Sequence, residues 1–204
     1  MHPQIFSAFD EICRRRGVGG AVLEIGAVPS PDTLLMLPAL AGVSERIGLN
    51  LDPETEYRGC RILRGDATDM RGFEDARFDA VLCNSVLEHE PRFWLALAEI
   101  RRVTKSGGLV VIGVPGYAAA GTGLARRLLR RLRDLPSVRT FIEGHLAATP
   151  TLVPHDFPGD YYRFSGRAVR DVFMEGMEEV EVMRLLNPPR FIASARRSAE
   201  RFRS

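Results

Sequence analysis

Four polar side chains sit at or near the carboxyl ends of apolar runs. Glu24 lies in AVLEIGAV just before Gly26, Asn50 ends ERIGLN, Asp66 follows CRILR within Gly65-Asp66-Ala67, and Asn84 ends FDAVLCN. An apolar run that finishes on a polar residue is how a buried strand delivers a side chain to the edge of a parallel sheet. At that edge, open α/β sheets bind nucleosides. Residues far apart in sequence would then converge on one cleft. A side chain at the second tip, Asn50, can reach ribose hydroxyls, and one at the third, Asp66, can accept from an adenine amino group. Leu51 and Ala67 would supply apolar faces around the base.

The elements needed to position these residues are present in order. The spacing predicts an amphipathic helix over Phe6–Arg16, a buried strand over Ala21–Ile25 and a helix over Asp32–Ala41. Strands follow at Glu45–Leu51, Cys60–Arg64, Phe78–Cys83 and Leu109–Val114. A short helical turn is expected after Glu54, and Pro91–Val103 has helical spacing. Ser106-Gly107-Gly108 reads as a turn. Beyond Pro115 the pattern changes to an insert, 116–160, expected to act as a lid or substrate region. A helix over Gly166–Glu175 follows, then two late strands, Val180–Leu186 and Arg190–Ala195, that could pair antiparallel. Alternating strands and helices argue for βαβ units and a parallel sheet.

Composition narrows the classes. The chain has 204 residues, enough for one domain with a full core, and a net charge of +2 at pH 7. Such a weak field does not steer it to nucleic acid. Cys13, Cys60 and Cys83 form no CxxC pair. They point to reduced thiols in a cytoplasmic protein, with neither a disulfide framework nor a zinc site, so no metal is expected. No apolar run is long enough to span a membrane. Leu124–Leu135 carries five arginines among leucines. It reads first as a solvated face, with contact to an acidic substrate or a peripheral membrane surface as alternatives.

The segments VLEIG, IGLNLDPE, GDA, FDAVLCNSVLEH and SGGLVVIGVP together resemble the ordered motifs of class I S-adenosylmethionine-dependent methyltransferases, from Val22 to Pro115. The closest likeness is to small-molecule members with an LEH signature. The HDFPGDYYRFSGRAVRDVF segment and the PPRFIASARR strand more loosely resemble members linked to glycan biosynthesis. The resemblance implies a single Rossmann-like α/β domain over 1–204, with a doubly wound, mostly parallel seven-stranded sheet whose last strand is antiparallel. It implies S-adenosylmethionine as cofactor and in-line methyl transfer to a small-molecule or glycan-linked acceptor.

Position by position, Glu24 matches the acid near the methionine amino group, and Gly26 the first glycine of the turn. Asn50 stands at the ribose position and Asp66 at the adenine position, while Asn84 and Ser85 flank the methyl donor. Val28 and Ser30 replace two usual glycines, and Asn50 an acid. These departures keep open a catalytically impaired relative that binds or scaffolds. A nicotinamide-dependent oxidoreductase is disfavoured, because the first turn lacks GxGxxG. An oxygen nucleophile on the acceptor would usually want a base, and His89 and His155 are the candidates, since imidazole titrates near neutrality.

Overall fold

Every residue of Ala21–Ile25 (β1) is buried, as expected of a strand with neighbours on both sides and helices over both faces. The computed structural model describes residues 1–117, 159–186 and 188–199. Its other strands are Glu45–Asn50 (β2), Thr55–Tyr57 (β3), Cys60–Arg64 (β4), Phe78–Asn84 (β5), Thr104–Pro115 (β6), Met177–Leu185 (β7) and Arg190–Arg197 (β8). They form one sheet in the order β3-β4-β2-β1-β5-β6-β8-β7. The run from β4 to β6 is parallel, whereas β3 pairs antiparallel with β4, and β8 antiparallel with both β6 and β7. The strand order reverses between β1 and β5, which makes their carboxyl ends the topological switch point.

Two apolar layers enclose the sheet. On one face, Ile5, Phe9 and Ile12 of the helix Pro3–Arg16 (α1) pack with Val22, Leu82 and Val111. Pro3 starts α1 and Gly17, at φ 64°, ends it, the usual asymmetry of helix ends. On the other face, Leu97, Ile100 and Val103 of the helix Phe93–Val103 (α2) meet Leu23, Val81 and Val110, with Val169 and Phe173 from the region after the insert.

The sheet has eight strands where seven were expected. The extra one, β3, stands where a helical turn was predicted. Arg58 and Gly59 both have positive φ, 47° and 77°, and this two-residue mirror-image turn reverses the chain into a hairpin with β4. The predicted helix over Asp32–Ala41 is instead two 3-10 turns, Leu34–Met36 and Pro38–Leu40. Pro38 has no N–H to donate and drives Leu37 to ψ 130°. Strand β6 begins at Thr104, so Ser106-Gly107-Gly108 is an irregularity within it. There the register with β5 shifts and Gly107 takes φ 73°. The late helix is one α turn, Gly166–Ala168, continued by a π turn over Val169–Phe173.

The 3-10 turns hang from β1 by one side chain. Glu24 is 4% exposed. Its Oε1 accepts from the Leu34 amide at 3.0 Å, and its Oε2 accepts from the Leu35 amide at 3.1 Å and from the Thr33 hydroxyl. From the opposite side, Asp10 of α1 accepts from the Ala39 amide at 2.7 Å.

Desolvation pushes the Glu24 carboxyl up to about 7 from 4.5, against the pull of its three donors. Folding then takes up a proton between those values. Glu24's contribution to stability is therefore fully present below about pH 4.5 and declines as pH rises toward 7. Denaturant titrations of wild type and Glu24→Gln at pH 5 and pH 8 test this. The variant should lose about 1–3 kcal/mol at pH 5, because one amide is left without an acceptor. The gap should narrow at pH 8, and a gap that widens there would contradict the assignment.

Candidate active site

The turn after β1 is bonded to the strand beside it. Gly26 (φ 80°) donates its N–H to the Leu49 carbonyl at 2.8 Å, and the Ala27 N–H shares that acceptor at 3.2 Å. The Asn50 side chain then clamps the turn, its Nδ2 donating to the Ala27 carbonyl at 2.6 Å. Its Oδ1 accepts from the Leu51 amide at 2.7 Å. The amide predicted for a ribose thus ties the tips of β1 and β2 together. From the same two tips, two apolar side chains project into solvent: Val28 is 43% exposed and Leu51 70%.

At the tip of β4, Asp66 is exposed. Its Oδ1 accepts from the Thr68 amide at 2.7 Å and the Thr68 hydroxyl at 2.8 Å, which leaves Oδ2 open. Ala67 is half-buried beside it. Asn50, Leu51, Asp66 and Ala67 thus share the edge assigned to them by sequence. Glu24 stands behind that edge, with both oxygens used inside the protein.

At the tip of β5, Ser85 adopts φ 58°, a left-handed geometry uncommon outside glycine. Its N–H donates to the Gly113 carbonyl of β6 at 2.9 Å. The Ser85 hydroxyl oxygen accepts from Asn84 Nδ2 at 3.1 Å and from Arg190 Nη2. Asn84 Oδ1 is buried without a hydrogen bond. A Cβ at position 113 would lie 2.4 Å from that oxygen, so Gly113 is what lets the amide stand between β5 and β6.

Arg190 opens β8, whose antiparallel run brings its first residue to the carboxyl ends of the parallel strands. Its Nη2 lies 3.8 Å from Oε1 of Glu88. Glu88 follows β5 in the 3-10 turn Leu87–His89 and is 2% exposed. Desolvation raises its carboxyl to about 7, with Arg190 and Arg163 opposing the rise, and its Oε2 is buried without a hydrogen bond.

Sequence reasoning passed over both Glu88 and Arg190. Glu88 lies inside the quoted LEH motif, and Arg190 follows the two prolines that open a predicted antiparallel strand, so both positions carried a signal. His89, half-buried in the same turn, was singled out as a candidate base and does stand at this edge.

The segment after the insert is held over that turn. Tyr161 and Tyr162 donate their amides to the Glu88 carbonyl at 2.8 and 3.2 Å. The Tyr162 ring packs edge-on against Phe93, and its hydroxyl donates to the Pro91 carbonyl. Arg163 is paired with Asp160 through two hydrogen bonds. His155, the arginine-bearing Leu124–Leu135 and most of the insert lie outside the described residues.

Gly26 offers a direct test of the turn. A Cβ there would sit 2.4 Å from Val86 Cγ2 and would also demand a strained φ. Gly26→Ala should cost about 1–3 kcal/mol in urea unfolding. Adding Val86→Ala should recover only the steric part, and a neutral Gly26→Ala would show that the turn is not held as described.

Residues 36–112 match a family described as a methyltransferase domain. The matched segment begins past the Glu24–Ser30 turn, where this chain departs from the usual glycines. No curated protein matches the chain. Over 97% of its length it is similar to the solved structure of Burkholderia thailandensis 1,6-didemethyltoxoflavin-N1-methyltransferase with bound 1,6-didemethyltoxoflavin and S-adenosylhomocysteine, at 18% identity, 80% of that chain and TM-score 0.65. A putative S-adenosyl-L-methionine-dependent methyltransferase from Methanococcus maripaludis is matched over 98% of this chain and 88% of its own, at 16% identity and TM-score 0.56. A possible exported protein from Bordetella parapertussis is matched over 96% and 68%, at 14% identity and TM-score 0.64. At these identities the solved structures establish the fold. Residues 36–112 thus match a methyltransferase-domain family, and the chain that carries them shares the α/β fold of these solved methyltransferase structures.

Proposed function

We propose that this chain is an S-adenosylmethionine-dependent methyltransferase acting on a small-molecule acceptor, with a glycan-linked acceptor as the narrower possibility raised by its tail motifs. The observation that carries the reading is the placement, along the one carboxyl edge of the sheet that holds the switch point, of an open Asp66 oxygen, an exposed Leu51 and an Asn84 Oδ1 without a hydrogen bond among the described residues. Asp66 suits an adenine amino group, and Leu51 with Ala67 suits the faces of the base. Asn84 and Ser85, at the tip of β5, are the residues that the family resemblance assigns to the flank of the methyl donor. The nucleoside end is therefore matched by the residues present. At the other end, Glu24 acts by bracing the turn, and backbone groups of residues 26–30 remain as the nearest polar surface.

When bound, the cofactor would supply a sulfonium methyl whose carbon a nucleophile attacks as the C–S bond breaks, S-adenosylhomocysteine leaving as the neutral thioether. The protein's share is alignment and charge placement. Ser85, held in left-handed geometry by its N–H bond to the Gly113 carbonyl, would present its hydroxyl beside the donor. His89 is the described candidate for taking a proton from an oxygen nucleophile. The Burkholderia neighbour was solved with a small heterocyclic acceptor, which supports the small-molecule reading. Among the described residues no helix is long and apolar enough to cross a membrane, and a cytoplasmic setting would suit the three buried free cysteines.

A second reading, a binding or scaffolding relative without catalysis, is favoured by one specific observation: Glu24 and Asn50 both spend their hydrogen bonds inside the protein. Calorimetric titration with S-adenosylhomocysteine separates the two. The enzyme reading expects saturable one-to-one binding that weakens at least about tenfold in Asp66→Ala, in line with loss of a charge-assisted hydrogen bond. Absence of binding to the wild type would leave the scaffold reading.

A further inference from the structure

Arg190 and Glu88 are oppositely charged groups at the acceptor side of the cleft that do not satisfy each other. The Arg190 side chain is 21% exposed and that of Glu88 3%. They approach only to 3.8 Å, beyond hydrogen-bond length. Arg190 donates one hydrogen bond, to Ser85 Oγ, which leaves its other N–H groups unused among the described residues. Glu88 Oε2 is buried and has no hydrogen-bond partner among the described residues. A buried charge without full pairing is costly, and proteins keep such groups mainly where a ligand completes them. A guanidinium presents a planar fork that matches carboxylate, sulfate and phosphate.

We infer that Arg190 is the recognition residue for an anionic group on the methyl acceptor, seated by Ser85 and flanked by Glu88. The inference deepens the methyltransferase reading and rests on it for the word acceptor, but the anion site itself stands on the geometry. Ser85 fixes the guanidinium. Its oxygen accepts from both Asn84 and Arg190, so its own proton is left to donate to a ligand oxygen. Glu88 tunes the site: ionised, it repels the incoming anion, and protonated, it can donate to it.

The charged and titratable groups around Glu88 come from several elements. Arg190 belongs to β8, Asp160 is the last residue of the insert, and Arg163 comes from the segment after it. Cys83 of β5 is held neutral by burial, and His89 shares the Glu88 turn. Arg163 already has Asp160 as its partner, so among the described residues Arg190 is the cation with free donors beside this carboxyl.

Sulfate is a suitable probe, because its charge does not change between pH 6 and 8. Binding would be read at the Arg190 Nε–H signal in nitrogen-15 spectra, assigned by its disappearance in Arg190→Gln, at constant ionic strength. The wild type should show a saturable shift, with affinity at pH 6 at least about fivefold above that at pH 8 as Glu88 ionises. Glu88→Gln should bind sulfate at both pH values without that dependence. Ser85→Ala, which leaves the charge in place, should weaken binding and provides a second test should Arg190→Gln fail to fold. No saturable shift, or the same pH dependence in Glu88→Gln, would overturn the proposal.

A parallel titration with S-adenosylhomocysteine keeps the two readings apart. Its affinity should be unchanged in Arg190→Gln, and a loss there would assign the arginine to the cofactor and overturn the acceptor role. Sulfate binding without any S-adenosylhomocysteine binding would remove the methyltransferase reading and leave the anion site.

Discussion

The carboxylate of Glu24 is the constraint on which the rest of the edge depends. It is buried at the end of the central strand and accepts from Thr33, Leu34 and Leu35. Those three donors belong to the start of the first 3-10 turn, where a regular helix would have left amides unsatisfied. Because Pro38 prevents a longer helix, the chain between β1 and β2 has only short-range turn hydrogen bonds of its own. Side chains therefore tie it to the sheet and to α1, Glu24 from β1 and Asp10 from the helix. With the 3-10 turns fixed, Gly26 and Ala27 can reach Leu49, and Asn50 can reach Ala27. The loss of glycines at 28 and 30 is tolerated because the turn is held from beneath and from the side.

The same edge divides into two chemical halves. On the β2–β4 side lie an exposed acid, an exposed leucine and a half-buried alanine, suited to a neutral base and its sugar. On the β5–β8 side lie a half-buried arginine bonded to a serine hydroxyl, and a buried glutamate beside that arginine. Low polarity around that second group strengthens every electrostatic contact made there and also raises the cost of leaving one unmade. The antiparallel last strand is what makes this half possible. A parallel β8 would have begun at the opposite edge, and Arg190 would have lain far from Ser85.

Much of the core was legible because burial on both faces writes continuous apolar runs. Residues 21–25, 78–83 and 109–114 are strands as read, and Asn84, which follows the second of these runs, reaches the predicted edge. The hairpin at Arg58-Gly59 escaped notice because arginine in a positive-φ turn carries no compositional signal. The helix over Asp32–Ala41 was over-read, since Leu34, Leu37 and Leu40 keep helical spacing across a proline that breaks the hydrogen bonding. At the site, sequence order placed Asn50, Asp66 and Asn84 on one edge, but it could not show that Asn50 turns its amide inward. Nor could it show that Arg190 meets Ser85 across 105 positions. Such contacts are set by sheet topology.

Glu24 is an internal brace whose oxygens stay committed to the 3-10 turn whether or not a ligand is bound. Amide hydrogen exchange at Leu34 and Leu35, followed with and without saturating S-adenosylhomocysteine, addresses this most directly. The account predicts strong protection of both amides in the free protein and no loss of it when the ligand binds. Exchange that speeds up on binding would mean that the carboxylate leaves these donors for the ligand, and would contradict the claim.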